Sequence, residues 1–237
     1  MKLLKPLPPF HAGEAPGQVP SARITALALL GATAGLAIAE LAIGKLDAAD
    51  SAAAIAEGGG RLATGGLIHL VAATLLGLAV AGLAPVIRGS VAGRIGWVLL
   101  WASVPCYGAF AMFHLILVET GAAGLDQAAM DQFLMRFQDT GVWSVPVTYF
   151  VFAGLLARLL VLIALVRRGV SSWVAPVVYA IGLAVDFVFG ANDGLESSGH
   201  WVMAVGTAVA AYGLWQAGRE TATQQRLPEP AGSGIAA

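Results

Sequence analysis

Long apolar stretches separated by short polar segments run along most of this chain. A helix needs roughly 20 predominantly apolar residues to cross the hydrocarbon core of a membrane. The pattern predicts membrane-spanning helices near residues 22–44, 64–87, 93–118, 142–166, 173–191 and 199–217. We therefore expect an all-α, polytopic transmembrane bundle. Its predicted organisation is a tail at 1–21, a six-helix transmembrane domain at 22–218 and a disordered tail at 219–237.

Composition excludes an ordinary soluble domain, in which about 25% of the residues are charged. Here 58% of the residues are hydrophobic, 11% are charged, and mean hydropathy is +0.78. The net charge of −1 argues against a nucleic-acid partner, which would require a basic face. The expected partners are instead membrane lipid and a hydrophobic small-molecule substrate.

The basic residues are distributed unevenly between the two ends of the predicted spans. One side, which holds both termini, carries Lys2, Lys5, Arg23, Arg88, Arg94, Arg167, Arg168, Arg219 and Arg226, and the opposite side carries Lys45, Arg61 and Arg136. Cytoplasmic loops of membrane proteins are enriched in lysine and arginine. The sequence therefore predicts a multi-pass plasma-membrane protein with both termini in the cytoplasm.

Ionisable side chains recur at one depth in this predicted topology. Glu40, His69, His114 and Asp186 would lie on the order of 6 to 8 Å below the outer boundary of the membrane, and His200 at that boundary. Acids and histidines inside a membrane usually face a bundle interior, a partner or a cavity. We take Glu40, His69, His114 and Asp186 as candidate catalytic residues. Equal depth leaves open whether they converge, because the lateral order of the helices is unknown.

Several aromatic side chains are predicted to lie near these residues. We expect a hydrophobic substrate to contact Tyr107, Phe110, Phe113, Tyr149, Phe150, Phe187 and Trp201. Arg158 lies deeper, and its long side chain is expected to extend towards Arg167 and Arg168 at the cytoplasmic end of the fourth span.

Two outer loops are expected to contain short interfacial helices. Met130, Phe133, Leu134 and Phe137 have the spacing of one helix face, which predicts an amphipathic helix over Leu125–Phe137. The Ala-rich segment Leu46–Glu57 predicts a second helix, which the glycines at 58–60 would end. Covers over an outward-opening pocket and ordinary connectors are both compatible with these segments.

Several chemistries are disfavoured by what the spans lack. No lysine occurs inside a predicted span, which argues against a retinal Schiff base. The sequence also contains no His-Glu-x-x-His motif and no phosphate-binding Gly-Lys-Ser/Thr loop. A zincin and a membrane ATPase are therefore disfavoured.

Three classes of function are compatible with these ionisable side chains at one depth. The first is a membrane enzyme that uses carboxylate and histidine as acid and base on a lipid or isoprenoid-like substrate, for cyclisation, isomerisation or hydrolysis. The second is a divalent-metal or haem protein, with ligands drawn from His69, His114, His200, Glu119 and Asp193. The third is a transporter or accessory subunit with an ion site at its mouth.

The arrangement of segments also supports a family-level comparison. A short basic lead and a first span are followed by an Ala/Asp-containing loop that closes on Glu57-Gly58-Gly59-Gly60-Arg61-Leu62, and the fourth span ends in Arg167-Arg168. This layout resembles small six-helix bacterial integral membrane proteins of unassigned function. The resemblance implies a membrane bundle of Ala- and Gly-rich, actinobacterial-style composition, and it implies no activity. In size and in its intramembrane carboxylates the chain is also similar to small integral-membrane terpene cyclases, which have seven spans.

Overall fold

The computed structural model describes residues 21–43, 52–87, 89–122, 128–129, 131–132, 136, 144–189 and 198–224. The long helices that these residues form are α1 (Ala22–Ile43), α2 (Ala52–Ile87), α3 (Val91–Ala122), α4 (Ser144–Arg167), α5 (Val174–Phe189) and α6 (Ser198–Gln224). No strand occurs among the described residues. The predicted all-helical fold is confirmed at this level.

Four of the described helices are long and apolar enough to cross a membrane. They are α1, Glu57–Ile87 of α2, Val91–Gly121 of α3 and Thr148–Arg167 of α4. Many outward-facing side chains are apolar, including Leu27, Val71 and Ile116, each more than half exposed. An exterior of this kind is typical of a membrane protein, because lipid rather than water contacts it. The described part of helix α5 has 16 residues, which cover about 24 Å of the roughly 30 Å hydrocarbon core.

Two helix boundaries differ from the sequence prediction. Helix α2 begins at Ala52 and continues through the glycines at 58–60, so the predicted separate helix ending at Glu57 is wrong for 52–57. Residues 46–51 lie outside the described part of the chain. Glycine ends a helix chiefly by adopting positive φ, and the described glycine that does so is Gly169, with φ of 72°, between α4 and α5. Helix α6 extends to Gln224, beyond the predicted start of a disordered tail at residue 219.

The predicted amphipathic helix over Leu125–Phe137 is described only in part. Ala128, Ala129, Asp131, Gln132 and Arg136 are helical. The residues that define its predicted apolar face, Met130, Phe133, Leu134 and Phe137, lie outside the described residues. The face that this segment would present to a membrane therefore stays a prediction.

The helices form a ring in the order α5, α6, α1, α2, α3 and α4. Fully buried leucines fill its core, among them Leu76, Leu83, Leu100 and Leu165. Helices α4 and α5 close the ring but share far fewer close residue pairs than the other neighbouring helices. We call this thin boundary the α4–α5 seam. The Tyr179 hydroxyl donates a hydrogen bond across it to the Leu155 carbonyl oxygen, at 3.1 Å.

Glycines allow α5 and α6 to pack backbone against backbone. A Cβ atom at Gly206 would lie 2.6 Å from the Tyr179 nitrogen and 2.7 Å from the Ala175 oxygen. A Cβ atom at Gly199 would lie 2.6 Å from the Cβ atom of Asp186. Small residues at helix interfaces are a common solution in membrane proteins, because they permit close van der Waals packing. This interface therefore fixes the positions of Tyr179 and Asp186 on α5.

Substitution of Gly206 tests this close packing. We expect Gly206→Ala to lower the free energy of unfolding by about 1–3 kcal/mol, because the added methyl group must displace the α5 backbone. Thermal or SDS-induced unfolding in detergent measures the change. The control is Gly108→Ala, since a Cβ atom at position 108 would meet nothing within 4 Å. Equal stability of the two variants would contradict the proposed role of Gly206.

Candidate functional site

The interior of the ring contains ionisable side chains from all six helices. His69, His114 and Arg158 are buried, with exposures of 1%, 6% and 4%. They belong to two groups at different heights along the helices. The first, the carboxylate–histidine tier, contains Glu40, His69, His114, Asp186 and His200. The second, the arginine–tyrosine tier, contains Tyr107, Arg158 and Tyr179.

The first pair in the carboxylate–histidine tier joins α1 to α2. The His69 Nε2 atom lies 3.4 Å from the Glu40 Oε1 atom. The His69 side chain is 2% exposed, whereas that of Glu40 is 37% exposed. The pair therefore has a closed side at the imidazole and an accessible side at the carboxylate.

Two glycines on α2 explain why this pair forms where it does. A Cβ atom at Gly65 would lie 3.3 Å from the Ala39 oxygen of α1, and one at Gly66 would lie 3.2 Å from the Ala111 oxygen of α3. Both neighbouring backbones thus approach α2 one turn before His69. Glu40 is the residue after Ala39, and His114 lies three residues after Ala111. Both side chains therefore reach the flanks of His69.

His69 and His114 lie side by side with nearly parallel rings. Their centroids are 6.0 Å apart and the ring planes differ by 5°. Phe110 directs its ring edge-to-face against both, with centroid distances of 5.8 Å to His69 and 4.8 Å to His114. The Nδ1 atom of His69 is buried and makes no hydrogen bond within the described part of the chain. The stack therefore leaves His69 with one ring nitrogen near Glu40 and one held in an apolar environment.

The second pair joins α5 to α6. The His200 Nδ1 atom lies 3.1 Å from the Asp186 Oδ1 atom. This is an ion-pair distance, although the ring nitrogen is not aligned for a hydrogen bond to any described group. The two side chains are 18% and 22% exposed, Asp186 being the more buried. A Cβ atom at position 199 would lie 2.6 Å from the Asp186 Cβ atom, so glycine there lets α6 approach α5 beside this pair.

The two pairs belong to one electrostatic environment. The Glu40 carboxylate interacts with the imidazoles of His69, His114 and His200. Residues from α1, α2, α3, α5 and α6 therefore converge, a point that depth along the sequence left open. The catalytic roles of Glu40, His69, His114 and Asp186 stay predictions.

Arg158 lies in the interior and does not extend towards the end of α4. Its guanidinium carbon is 5.1 Å from the centre of the Tyr107 ring, and the guanidinium also interacts with Tyr179. The expectation that Arg158 extends towards Arg167 and Arg168 is therefore wrong. The aromatic faces of α3 and α5 offer the cation an internal partner, and a cation over an aromatic ring is stabilised electrostatically.

The sequence contained an unused signal for the arginine–tyrosine tier. Tyr107 precedes His114 by seven residues, and Tyr179 precedes Asp186 by seven residues. A spacing of seven places two side chains on one helix face, about 10 Å apart along the axis. Tyr179, which the sequence prediction did not include, therefore shares the inward face of α5 with Asp186.

The predicted substrate-binding aromatics divide into interior and surface residues. Phe110 and Phe113 contact His114, and Tyr107 is buried in the second tier. Tyr149, Phe187 and Trp201 are instead 65%, 57% and 41% exposed. These three do not line the interior, because they occupy the outward faces of their helices. Phe150 packs against Tyr149 with their ring centroids 5.6 Å apart.

A shallow apolar depression of about 430 Å³ lies elsewhere on the molecule. It is lined by residues of α3, namely Val91, Arg94, Ile95, Val98 and Leu99. Arg94 precedes His114 by 20 residues on α3, which corresponds to about 30 Å along the helix. The depression is therefore separate from both tiers.

The predicted metal ligands that the structure describes lie on helices α2, α3 and α6. Glu119 lies five residues beyond His114 on α3, and His200 is paired with Asp186. Across the described ranges, no three His, Cys, Asp or Glu side chains are arranged to hold a metal ion. The set formed by His69, His114 and His200 with Glu119 stays a prediction. Asp193 lies outside the described residues, so metal or haem ligation that includes it stays a prediction.

Comparison with known proteins adds no relative. No protein-family model matches the chain, and neither a curated protein nor a solved structure matches it. The side chains of the two tiers are therefore the basis on which a function can be assigned.

A double-mutant cycle tests the pairing of Asp186 with His200. We expect Asp186→Asn and His200→Gln to be non-additive in the free energy of unfolding, with a coupling of roughly 1 kcal/mol, because each substitution removes the same contact. The matched control combines His200→Gln with Arg167→Gln at the far end of α4. That control pair is expected to be additive to within about 0.5 kcal/mol. Additivity in both cycles would show that Asp186 and His200 do not interact.

Proposed function

We propose that this chain is an integral membrane enzyme that performs acid/base chemistry on a lipid or isoprenoid-like substrate. The supporting observation is the convergence of two carboxylate–histidine pairs, Glu40 with His69 and Asp186 with His200, in one tier of an apolar bundle. We further propose that all six helices span the plasma membrane, that both termini are cytoplasmic, and that the tier lies near the outer face. The distribution of lysine and arginine supports this orientation.

Each pair suits proton transfer because a carboxyl group and an imidazole can hold one proton between them. One pair donates a proton to an alkene carbon, an epoxide oxygen or an ester oxygen of the substrate. The other accepts a proton from an adjacent carbon or from an attacking water molecule. The number of protons on the protein is then restored by exchange with solvent. Groups positioned in this way typically accelerate such reactions by about 10²–10⁴-fold.

The surroundings of the tier support a hydrophobic substrate. Phe110 lies against both stacked histidines, and an aromatic face stabilises a carbocation that forms nearby. The partial exposure of Glu40 and Asp186 gives the two carboxylates contact with the exterior. A substrate dissolved in the outer leaflet would therefore reach the acid/base groups without crossing the bundle.

Solvent-isotope incorporation tests the proposal even while the substrate is unidentified. Membranes containing the protein are incubated with a bacterial total-lipid extract supplemented with linear isoprenoids, in D₂O or in ¹⁸O-labelled water. We expect new products that carry carbon-bound deuterium after cyclisation or isomerisation, or ¹⁸O after hydrolysis, because the reacting proton or water comes from solvent. Mass spectrometry of the extracted lipids detects both labels.

Carboxylate variants assign the activity to the tier. Glu40→Gln and Asp186→Asn are expected to reduce labelling by at least about 100-fold while the thermal unfolding midpoint changes little. The matched control is Glu57→Gln, since Glu57 is an exposed carboxylate on α2, and it should label like the wild type. Labelling that survives both tier substitutions would refute the assignment. Loss of folding in step with loss of labelling would show that the carboxylates are structural.

A further inference from the structure

Arg158 is a buried cation whose donors are incompletely used. Its side chain is 4% exposed, and its Nε and Nη2 atoms make no hydrogen bond to any described group. The Tyr107 hydroxyl, 5% exposed, also lacks a hydrogen-bond partner in the described part of the chain. The guanidinium carbon lies 5.1 Å from the centre of the Tyr107 ring, and the two side chains interact electrostatically. Unused donors of both residues therefore occupy one region of the interior.

An uncompensated cation in this environment requires explanation. Ionisable residues within a membrane usually pair with an opposite charge or serve a ligand. Among the described residues Arg158 has no carboxylate within ion-pair distance; the interior carboxylates Glu40 and Asp186 are instead paired with His69 and His200. The Tyr179 hydroxyl donates its hydrogen bond to the Leu155 carbonyl oxygen. Tyr107 and Tyr179 interact with the guanidinium, but its Nε and Nη2 atoms keep no hydrogen-bond partner in the described part of the chain.

We propose that Arg158 and Tyr107 form a buried oxyanion-binding site that takes the carboxylate or phosphate head group of an amphiphile. Guanidinium offers only donors, in a planar fork that matches both oxyanions, and the phenol hydroxyl supplies one more donor. A neutral head group would leave the charge uncompensated. An inorganic oxyanion would satisfy the donors equally, so the experiment separates the two sources.

The α4–α5 seam offers the hydrocarbon chain of such a ligand a place to lie. Phe152 of α4 and Phe187 of α5 stack across it with ring centroids 5.2 Å apart and an angle of 20°. Both rings are exposed, at 41% and 57%. Phe152 precedes Arg158 by six residues on α4, about 9 Å along the axis. Phe152 and Arg158 lie on different faces of α4, so an apolar chain that leaves Arg158 through the seam would reach the exposed aromatic pair.

This site does not depend on catalysis by the carboxylate–histidine tier. Binding is measured without turnover, so the two proposals fail separately. If Glu40→Gln abolishes isotope labelling but leaves oxyanion binding intact, the result bears only on the proposed enzyme activity. If Arg158 variants lose oxyanion binding, the result bears only on the oxyanion site.

Titration of the purified full-length protein in a neutral detergent tests the site. The probes are dodecyl phosphate, laurate, inorganic phosphate and dodecanol, and the readouts are isothermal titration calorimetry and the thermal unfolding midpoint. We expect saturable binding of dodecyl phosphate or laurate and none of dodecanol. Saturable binding of inorganic phosphate alone would retain the oxyanion site but assign it to a free anion. Absence of binding for all three oxyanions would overturn the proposal.

Variants locate the binding on Arg158 and Tyr107. Arg158→Met should weaken affinity for the oxyanion by at least about tenfold, and Tyr107→Phe by roughly threefold to tenfold, because each removes donors to a charged ligand. Arg167→Gln is the matched control, since Arg167 is an exposed arginine on the same helix, and it should bind like the wild type. If Arg158→Met does not fold, the affinity of Tyr107→Phe tests the site instead, because that substitution removes only a hydroxyl group and is expected to leave folding intact. Unchanged affinity in the folded variants would overturn the site.

Discussion

The high free energy of an ionisable side chain in an apolar environment is the constraint that organises this bundle. Such a side chain on the lipid-facing surface would lack both water and partners, so each one determines which face of its helix turns inward. Glu40 turns towards His69, Asp186 towards His200, and Arg158 towards Tyr107. The opposite faces are left to leucine, valine and isoleucine, which contact lipid at no electrostatic cost. The pairing of ionisable side chains in the interior and the apolar outer surface therefore both follow from the high free energy of a charged group in an apolar environment.

Close helix packing and the placement of the ionisable pairs have a common origin in glycine. Gly65 and Gly66 let α1 and α3 approach α2 one turn from His69, and Gly199 lets α5 approach α6 at Asp186. A larger side chain at these positions would separate the helices and lengthen the contacts between charged groups. Described contacts across the α4–α5 seam include one hydrogen bond, one aromatic stack and the interaction of Arg158 with Tyr179. Its sparse packing makes it the boundary of the ring that opens with the least loss of contact.

Features that depend on the local sequence, such as helix bounds, were predicted from the sequence. Features that depend on which helices are neighbours in space were not. The bounds of α1 followed closely from apolar length. Convergence of the ionisable groups was not predictable, because rise per residue gives height but not the direction in which a side chain points around the ring. Arg158 was misassigned for a related reason: a flexible side chain can reach either the helix end or the interior. Only the positions of Tyr107 and Tyr179, on two other helices, decide between these alternatives.

The two tiers restrict one another through their shared helix faces. Tyr107 and His114 lie on one face of α3, and Tyr179 and Asp186 on one face of α5, each with a spacing of seven residues. The tiers are consequently separated by about 10 Å along both helices. An amphiphile whose head group is bound at Arg158 would have a carbon about 10 Å along its chain beside the acid/base groups. In the proposed enzyme this distance would set the regioselectivity, because the anchored head group determines which carbon of a chain in the α4–α5 seam lies beside Asp186.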